Sequence, residues 1–256
     1  MVNYILTGIQ SHQLLSRAPL IMGFPLHLGT LVLMLIFYRQ VQPMDIYGGK
    51  EAVPHSRPYM VLVNRTSGAK MCDGFLVRED FVMTAAHCND KNIKVALGVH
   101  NVFNKTGEEI LVKKTFPHPN FNTTTMDNDI MLLKLEKKAS LNSMVRLIDL
   151  PQTNDEKVPK NCLVSGWGMY KDNDTGSPML REVNITTKDD KLCSDHHVIC
   201  SSGSKGPAQG DSGGPLVCND VAYGVVSYRV HHNNDNTYIY VCIPHFLDWI
   251  TDTMKA

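Results

Sequence analysis

From Ile46 onward the chain alternates short apolar runs with breaks rich in Gly, Asn, Asp and Pro. Examples are Tyr59–Val63, Gly74–Val77, Ile93–Leu97, Ile130–Leu135, Val183–Thr187, Val221–Ser227 and Tyr238–Ile243. Each is too short for a typical globular helix and is enriched in β-branched residues, so each predicts a strand. Their spacing predicts a closed or sandwich all-β architecture. The period changes only in the tail, Pro244 to Met254. Leu247, Ile250 and Met254 fall on one helical face there and Pro244 suits the first turn, which predicts a C-terminal α-helix. Pro, Asn and Lys cluster over residues 150–160, the expected linker between two halves. No repeat or low-complexity tract interrupts the pattern.

Residues 1–45 follow another pattern. Nothing between Arg17 and Arg39 carries a formal charge, and Leu28 to Tyr38 is almost wholly apolar. This reads as the core of a secretory signal within an unusually long leader, shortened to ordinary length if translation starts at Met22. The competing reading is a membrane anchor, against which stand Pro19, Pro25 and His27. A membrane is therefore expected as a partner only if the leader is retained.

Composition narrows the choice. The 256 residues suffice for one large all-β domain or two small ones, and charged residues are 20% with a formal net charge of zero. That balance argues against a nucleic-acid partner. Asn64, Asn104, Asn122, Asn173 and Asn184 each begin an Asn-X-Ser/Thr sequon, a modification used only in the secretory pathway. Seven cysteines, all after the leader, fit the same oxidising compartment, with their pairing left open by the sequence.

Three remote segments carry candidate chemistry: Thr84-Ala85-Ala86-His87-Cys88, Asp129-Ile130-Met131-Leu132-Leu133 and Gly210-Asp211-Ser212-Gly213-Gly214-Pro215. A serine needs a base to become a nucleophile, and the imidazole needs a carboxylate to fix its tautomer. His87, Asp129 and Ser212 supply the three groups, with Asp127 the rival carboxylate. The glycines permit a tight turn in which the Gly210 and Ser212 amides point at a developing oxyanion. The pairs His196-His197 and His231-His232 lack convergent ligands, and the Asp-rich stretch 172–174 reads as a solvated loop, so neither a metal nor a cofactor is expected.

The order His, Asp, Ser is that of chymotrypsin-like proteases. Further motifs strengthen the likeness: Ile46-Tyr47-Gly48-Gly49-Lys50-Glu51-Ala52, Pro54-His55-Ser56-Arg57-Pro58-Tyr59-Met60, Phe116-Pro117-His118-Pro119 and Ser165-Gly166-Trp167-Gly168. With them, Ile46–Ala256 resembles a chymotrypsin-fold serine protease, most similar to the granzyme and mast-cell-protease group. Ala208, standing where many relatives have a cysteine, fits that group. The resemblance implies two packed six-stranded antiparallel β-barrels, a leader with a short propeptide over 1–45 and a protease domain over 46–256. It implies disulfides Cys72–Cys88, Cys162–Cys218 and Cys193–Cys200, leaving over Cys242, which reads as a buried apolar thiol in a strand, with an intermolecular bridge as the alternative. Cleavage before Ile46 would create an amino terminus that pairs with Asp211. Met44-Asp45 precedes that point, so a tryptic activator is disfavoured and removal of a short acidic-ended propeptide, as in granzymes, is expected.

Specificity departs from the usual pattern. Counting back from Ser212 puts Gly206, or else Lys205, at the base of the substrate pocket, where trypsin-like relatives carry aspartate. A buried lysine or arginine side chain would lack a counter-charge there, so tryptic cleavage is not expected. Ser227 matches the serine that helps hold the aspartate. Arg229 and Tyr238 stand where many relatives have glycine, which predicts a blocked or acid-accepting pocket, the alternative being that both side chains swing into solvent. Asp73, in place of a glycine, has no assigned consequence. The expected protein is a secreted or granule-stored monomeric endopeptidase acting on polypeptides and bound by protein protease inhibitors. The alternative is a catalytically silent binding protein with an occluded pocket.

Overall fold

The computed structural model describes residues 46–66, 71–104, 107–152, 157–169, 176–189, 193, 197–232 and 235–256. The leader, the residues before Ile46 and the Asn173 sequon lie outside them. The chain divides into units Met1–Gln42 and Pro43–Ala256, and every element below belongs to the second.

That unit is two closed six-stranded antiparallel barrels. A short strand β1 (Lys50–Glu51) precedes them. The first barrel comprises β2 (Met60–Arg65), β3 (Cys72–Arg78), β4 (Phe81–Thr84), β5 (Ile93–Leu97), β6 (Glu108–Pro117) and β7 (Met131–Leu135). It closes in the order β2-β3-β4-β7-β6-β5. The second comprises β8 (Asn161–Gly166), β9 (Arg181–Lys188), β10 (Val198–Ser202), β11 (Pro215–Cys218), β12 (Val221–His232) and β13 (Asp235–Cys242). Its order is β9-β10-β13-β12-β11-β8, closed by the β8–β9 pairing, with β1 added outside β9.

Alternation explains the closure. Along β9 buried and exposed residues alternate from Val183 to Lys188, so one row of side chains fills the barrel while the other meets water. The connection between the barrels is bonded to both. Ala139 donates to Glu79 O at 2.7 Å, Ile148 to Leu76 O at 3.0 Å, and Asp149 O accepts from Ala222 at 3.0 Å. A 3₁₀ turn, Ile243–Phe246, leads into the helix α1 (Leu247–Thr253). Leu247, Ile250 and Met254 pack on a core that draws Val217, Val225 and Val241 from the second barrel as well as the first barrel's side chains. Burying a side chain such as Ile250 stabilises by roughly 2 kcal/mol.

Three disulfides add to this. Cys72–Cys88, Cys162–Cys218 and Cys193–Cys200 close sequence separations of 16, 56 and 7 residues. Chain entropy makes the middle one the largest contributor, about 4 kcal/mol. Cys242 is the free thiol, half-buried, and burial pushes its pKa up.

Candidate active site

His87 sits in a 3₁₀ turn, Ala86–Cys88, that follows β4 directly. The Cys72–Cys88 bridge fixes that turn to β3. Asp129 arrives from the loop before β7. Asn128 takes a left-handed φ of 57° there, a conformation asparagine tolerates better than most residues. The His118 N–H donates to Ile130 O at 2.9 Å, closing the loop. The result turns Asp129 inward, fully buried. Asp127 stays in the surface turn, where its Oδ2 accepts the Thr125 hydroxyl at 2.7 Å.

The Asp129 carboxylate takes three donors. Oδ1 accepts the His87 backbone N–H at 2.8 Å, Oδ2 lies 2.7 Å from His87 Nδ1, and Oδ2 also accepts the Ser227 hydroxyl. A carboxylate at Nδ1 keeps the ring proton there and leaves Nε2 as the basic nitrogen.

Ser212 comes to the same place from the second barrel, half-buried. Its carbonyl oxygen accepts the Asp73 N–H at 2.8 Å and lies 3.7 Å from Sγ of Cys88, the residue after His87. Gly213 has a φ of 86°, and a Cβ there would lie 2.1 Å from Thr84 Oγ1; only glycine lets the Ser212 turn dock on β4. Around Ser212 the amides of Asp211, Gly213 and Gly214 donate to Ala208, Val226 and Asp211 carbonyls. Among the described residues those of Gly210 and Ser212 bond to no backbone oxygen, which leaves two donors for a ligand oxygen.

Asp211 is fully buried, with Oδ1 accepting the Gly168 N–H and Oδ2 the Ala208 N–H, both at 2.7 Å. Burial raises its pKa to about 6 against the pull of those two amides. Ile46 is also fully buried, in the second barrel's core with Val164, Leu216, Tyr238 and Tyr240.

Beside Ser212 opens a cavity of about 360 Å³, lined by Pro207, Ala208, Gln209, Val226, Ser227, Tyr228, Arg229 and Tyr238 as well as the serine itself. Gly206 and Lys205, the two residues expected at its base, do not line it. The Tyr238 ring fills the space in front of Gly206, where an added Cβ would lie 2.5 Å from the ring. Lys205 is exposed and lies over Gly48. Arg229 is exposed, its guanidinium lies 5.0 Å from the Tyr47 ring centroid, and the Tyr47 hydroxyl beside it raises its pKa. Sequence alone did not give that contact, since Tyr47 is remote in the chain. A larger cavity, about 680 Å³, lies between Leu62, Met71, Val102 and Phe103 and includes none of these residues.

The other sequence candidates lie elsewhere. Asn104, Asn122 and Asn184 are exposed and Asn64 is half-buried. His197 stacks on His245 with ring centroids 3.4 Å apart, and His231 Nδ1 lies 3.0 Å from Asn236 Oδ1. Cys72, His87 and Cys88 are close enough to suggest metal ligands, but both sulfurs are spent in the disulfide. Among the described residues no helix is long and apolar enough to cross a membrane.

Paired barrels, a carboxylate-bound histidine and a glycine-bracketed serine define a protein class. The sequence matches the family described as Trypsin over residues 46–250, and the chain belongs to that family. Its relatives include granzyme B of Rattus norvegicus, 42% identical over 82% of this chain and 92% of that protein. Duodenase-1 of Bos taurus is 43% identical, with 88% and 97% covered, and mast cell protease 8 of Mus musculus is 43% identical, with 82% and 90% covered. The protein is a serine endopeptidase of the granzyme group, and its substrates are polypeptides.

Proposed function

We propose that the protein is a secreted or granule-stored endopeptidase that works through an acyl-enzyme, activated by cleavage before Ile46. Ser212 attacks the scissile carbonyl as His87 Nε2 takes its proton, and Asp129 steadies the imidazolium. The tetrahedral oxygen is held by the Gly210 and Ser212 amides. His87 then protonates the leaving amine, and water reverses the sequence to release the acid. The observation that carries this reading is the Asp129 carboxylate binding the ring and backbone of His87 together with the Ser227 hydroxyl. The exposed sequons support passage through the secretory pathway.

Specificity is non-tryptic, with preference for an acidic side chain before the scissile bond. Among the described residues no carboxylate lines the cavity beside Ser212, whereas Arg229 does. A substrate lysine there would be desolvated without a counter-charge, and a substrate carboxylate would meet a guanidinium. The open volume beside Ser212 argues against the occluded binding protein. Labelling with a fluorophosphonate after trimming to Ile46 tests the chemistry: labelling that vanishes in Ser212→Ala is the expected result, and folded, trimmed protein that never labels overturns it. A peptide library on the trimmed enzyme reads the specificity. Cleavage after lysine or arginine would refute the acid-accepting pocket.

A further inference from the structure

Asp73 is a fully buried carboxylate for which the reaction above has no use. Its backbone already serves the nucleophile turn. The N–H donates to Ser212 O at 2.8 Å, and the carbonyl accepts the Thr84 hydroxyl at 2.7 Å. Its side chain reaches toward β8. Oδ2 accepts the Trp167 N–H at 3.2 Å, and Oδ1 is buried without a hydrogen-bond partner. Gly166 permits the approach. A Cβ built on it would lie 2.1 Å from Asp211 Oδ1 and 2.2 Å from Asp73 Oδ2. The two carboxylates therefore face each other across the space of one missing methyl group.

Two fully buried carboxylates this close do not both ionise, because each charge lacks water and repels the other. Asp211 has the stronger claim to negative charge, with two amide donors at 2.7 Å against one at 3.2 Å for Asp73. We propose that Asp73 is a positioning residue that keeps a proton and donates it in a hydrogen bond to Asp211, holding the Gly210–Ser212 backbone in its working form. This rests on Asp211 being the activation carboxylate. One proton on Asp73 and one new ammonium at Ile46 would together neutralise the pair, whereas an ammonium alone would leave a buried charge over. Burial first, then the charge of Asp211, lifts the Asp73 carboxyl well above the usual range.

The other groups to reckon with are few. Tyr240 on β13 has its phenol pushed up by burial and stays neutral. Arg181 stands across from Gly166 on β9. A guanidinium that neutralised Asp73 would displace the proton, and the measurements below detect that case.

The test uses the enzyme trimmed to Ile46. Fluorophosphonate labelling rates are followed from about pH 6 to about pH 10 in the wild type, Asp73→Asn and Asp73→Ala. Asparagine keeps a donor and cannot lose it by titration. Asp73→Asn is expected within about three-fold of wild type near pH 6, with its alkaline limb about one pH unit higher, while Asp73→Ala is about ten-fold slower throughout. Superimposable limbs for wild type and Asp73→Asn would overturn the proposal. An infrared measurement on the uncut wild-type chain needs no variant to fold. A protonated-carboxyl band persisting near pH 7.5 is expected; its absence overturns the proposal. If the wild type never labels, the reading of Ser212 fails, and the infrared band still decides Asp73.

Discussion

Asp129 and Asp211 are equally inaccessible to water, yet their surroundings differ in kind. Asp129 is met by side chains, the His87 ring and the Ser227 hydroxyl, besides one backbone N–H. Its cationic partner is built into the fold and forms whenever His87 takes a proton. Asp211 is met by backbone amides and faces a second carboxylate at Gly166. Its cationic partner, on the proposed reading, exists only after the chain is cut. On the proposed reading, a buried charge used at every turnover has its counter-charge within reach, and one used as a trigger is left short of it.

The largest test of that contrast removes the groups Asp129 serves. Ser212→Ala or His87→Ala in the trimmed enzyme is expected to lower kcat by about 10⁵-fold or more with little change in KM, read by active-site titration and peptide hydrolysis. Asp129→Asn comes next, at about 10⁴-fold, because an amide cannot hold the Nδ1 proton or stabilise the imidazolium. Asp211→Asn should cost about 10²-fold to 10³-fold, through loss of the oxyanion donors, so KM and kcat change together. Equal losses and equal KM effects in Asp129→Asn and Asp211→Asn would erase the distinction between turnover partner and trigger.

Arg229 is a third charge at the site, and its guanidinium lies over the Tyr47 ring. If its positive charge is reserved for the substrate, Arg229→Ala should lower kcat/KM for acidic peptides by about 100-fold. Aromatic peptides should change far less. An unchanged ratio would mean that Tyr238 alone shapes the cavity.

The sequence made some of this legible and hid the rest for physical reasons. Strands that bury a continuous face were easy to find, and β5 spans Ile93–Leu97 as its pattern predicts. β6 is harder to read because Ile110 is its only fully buried residue; four of its ten residues are Lys or Glu, and pairing to β5 and β7 holds it in place. β4, β10 and β11 are short, and pairing on both sides holds each in place. The three motifs pointed to His87, Asp129 and Ser212 because their local turns need particular residues. The facing of Asp73 and Asp211 left no such mark, since it depends on a glycine in a third segment. The one available signal was an aspartate beside Cys72 in an otherwise apolar, wholly buried run of β3.

The smallest effect concerns the uncut chain. Its Asp211 carboxyl has a pKa of about 6, raised by burial from an ordinary 3.8. The folded state therefore binds more protons than the unfolded chain between those values, and stability must rise as pH falls through that window. Going from about pH 7 to about pH 5 should add roughly 1 kcal/mol, or about 3 °C in Tm, to the uncut wild type relative to Asp211→Asn. On the proposed trigger reading, cleavage before Ile46 brings an ammonium to the carboxylate and lowers its pKa again, so the trimmed enzyme should lose this acid-side gain. Thermal melts of the cut and uncut forms at both pH values measure it. Identical pH dependence in the two would mean that no cation reaches Asp211, and the trigger reading would fall while the Asp129 chemistry stood.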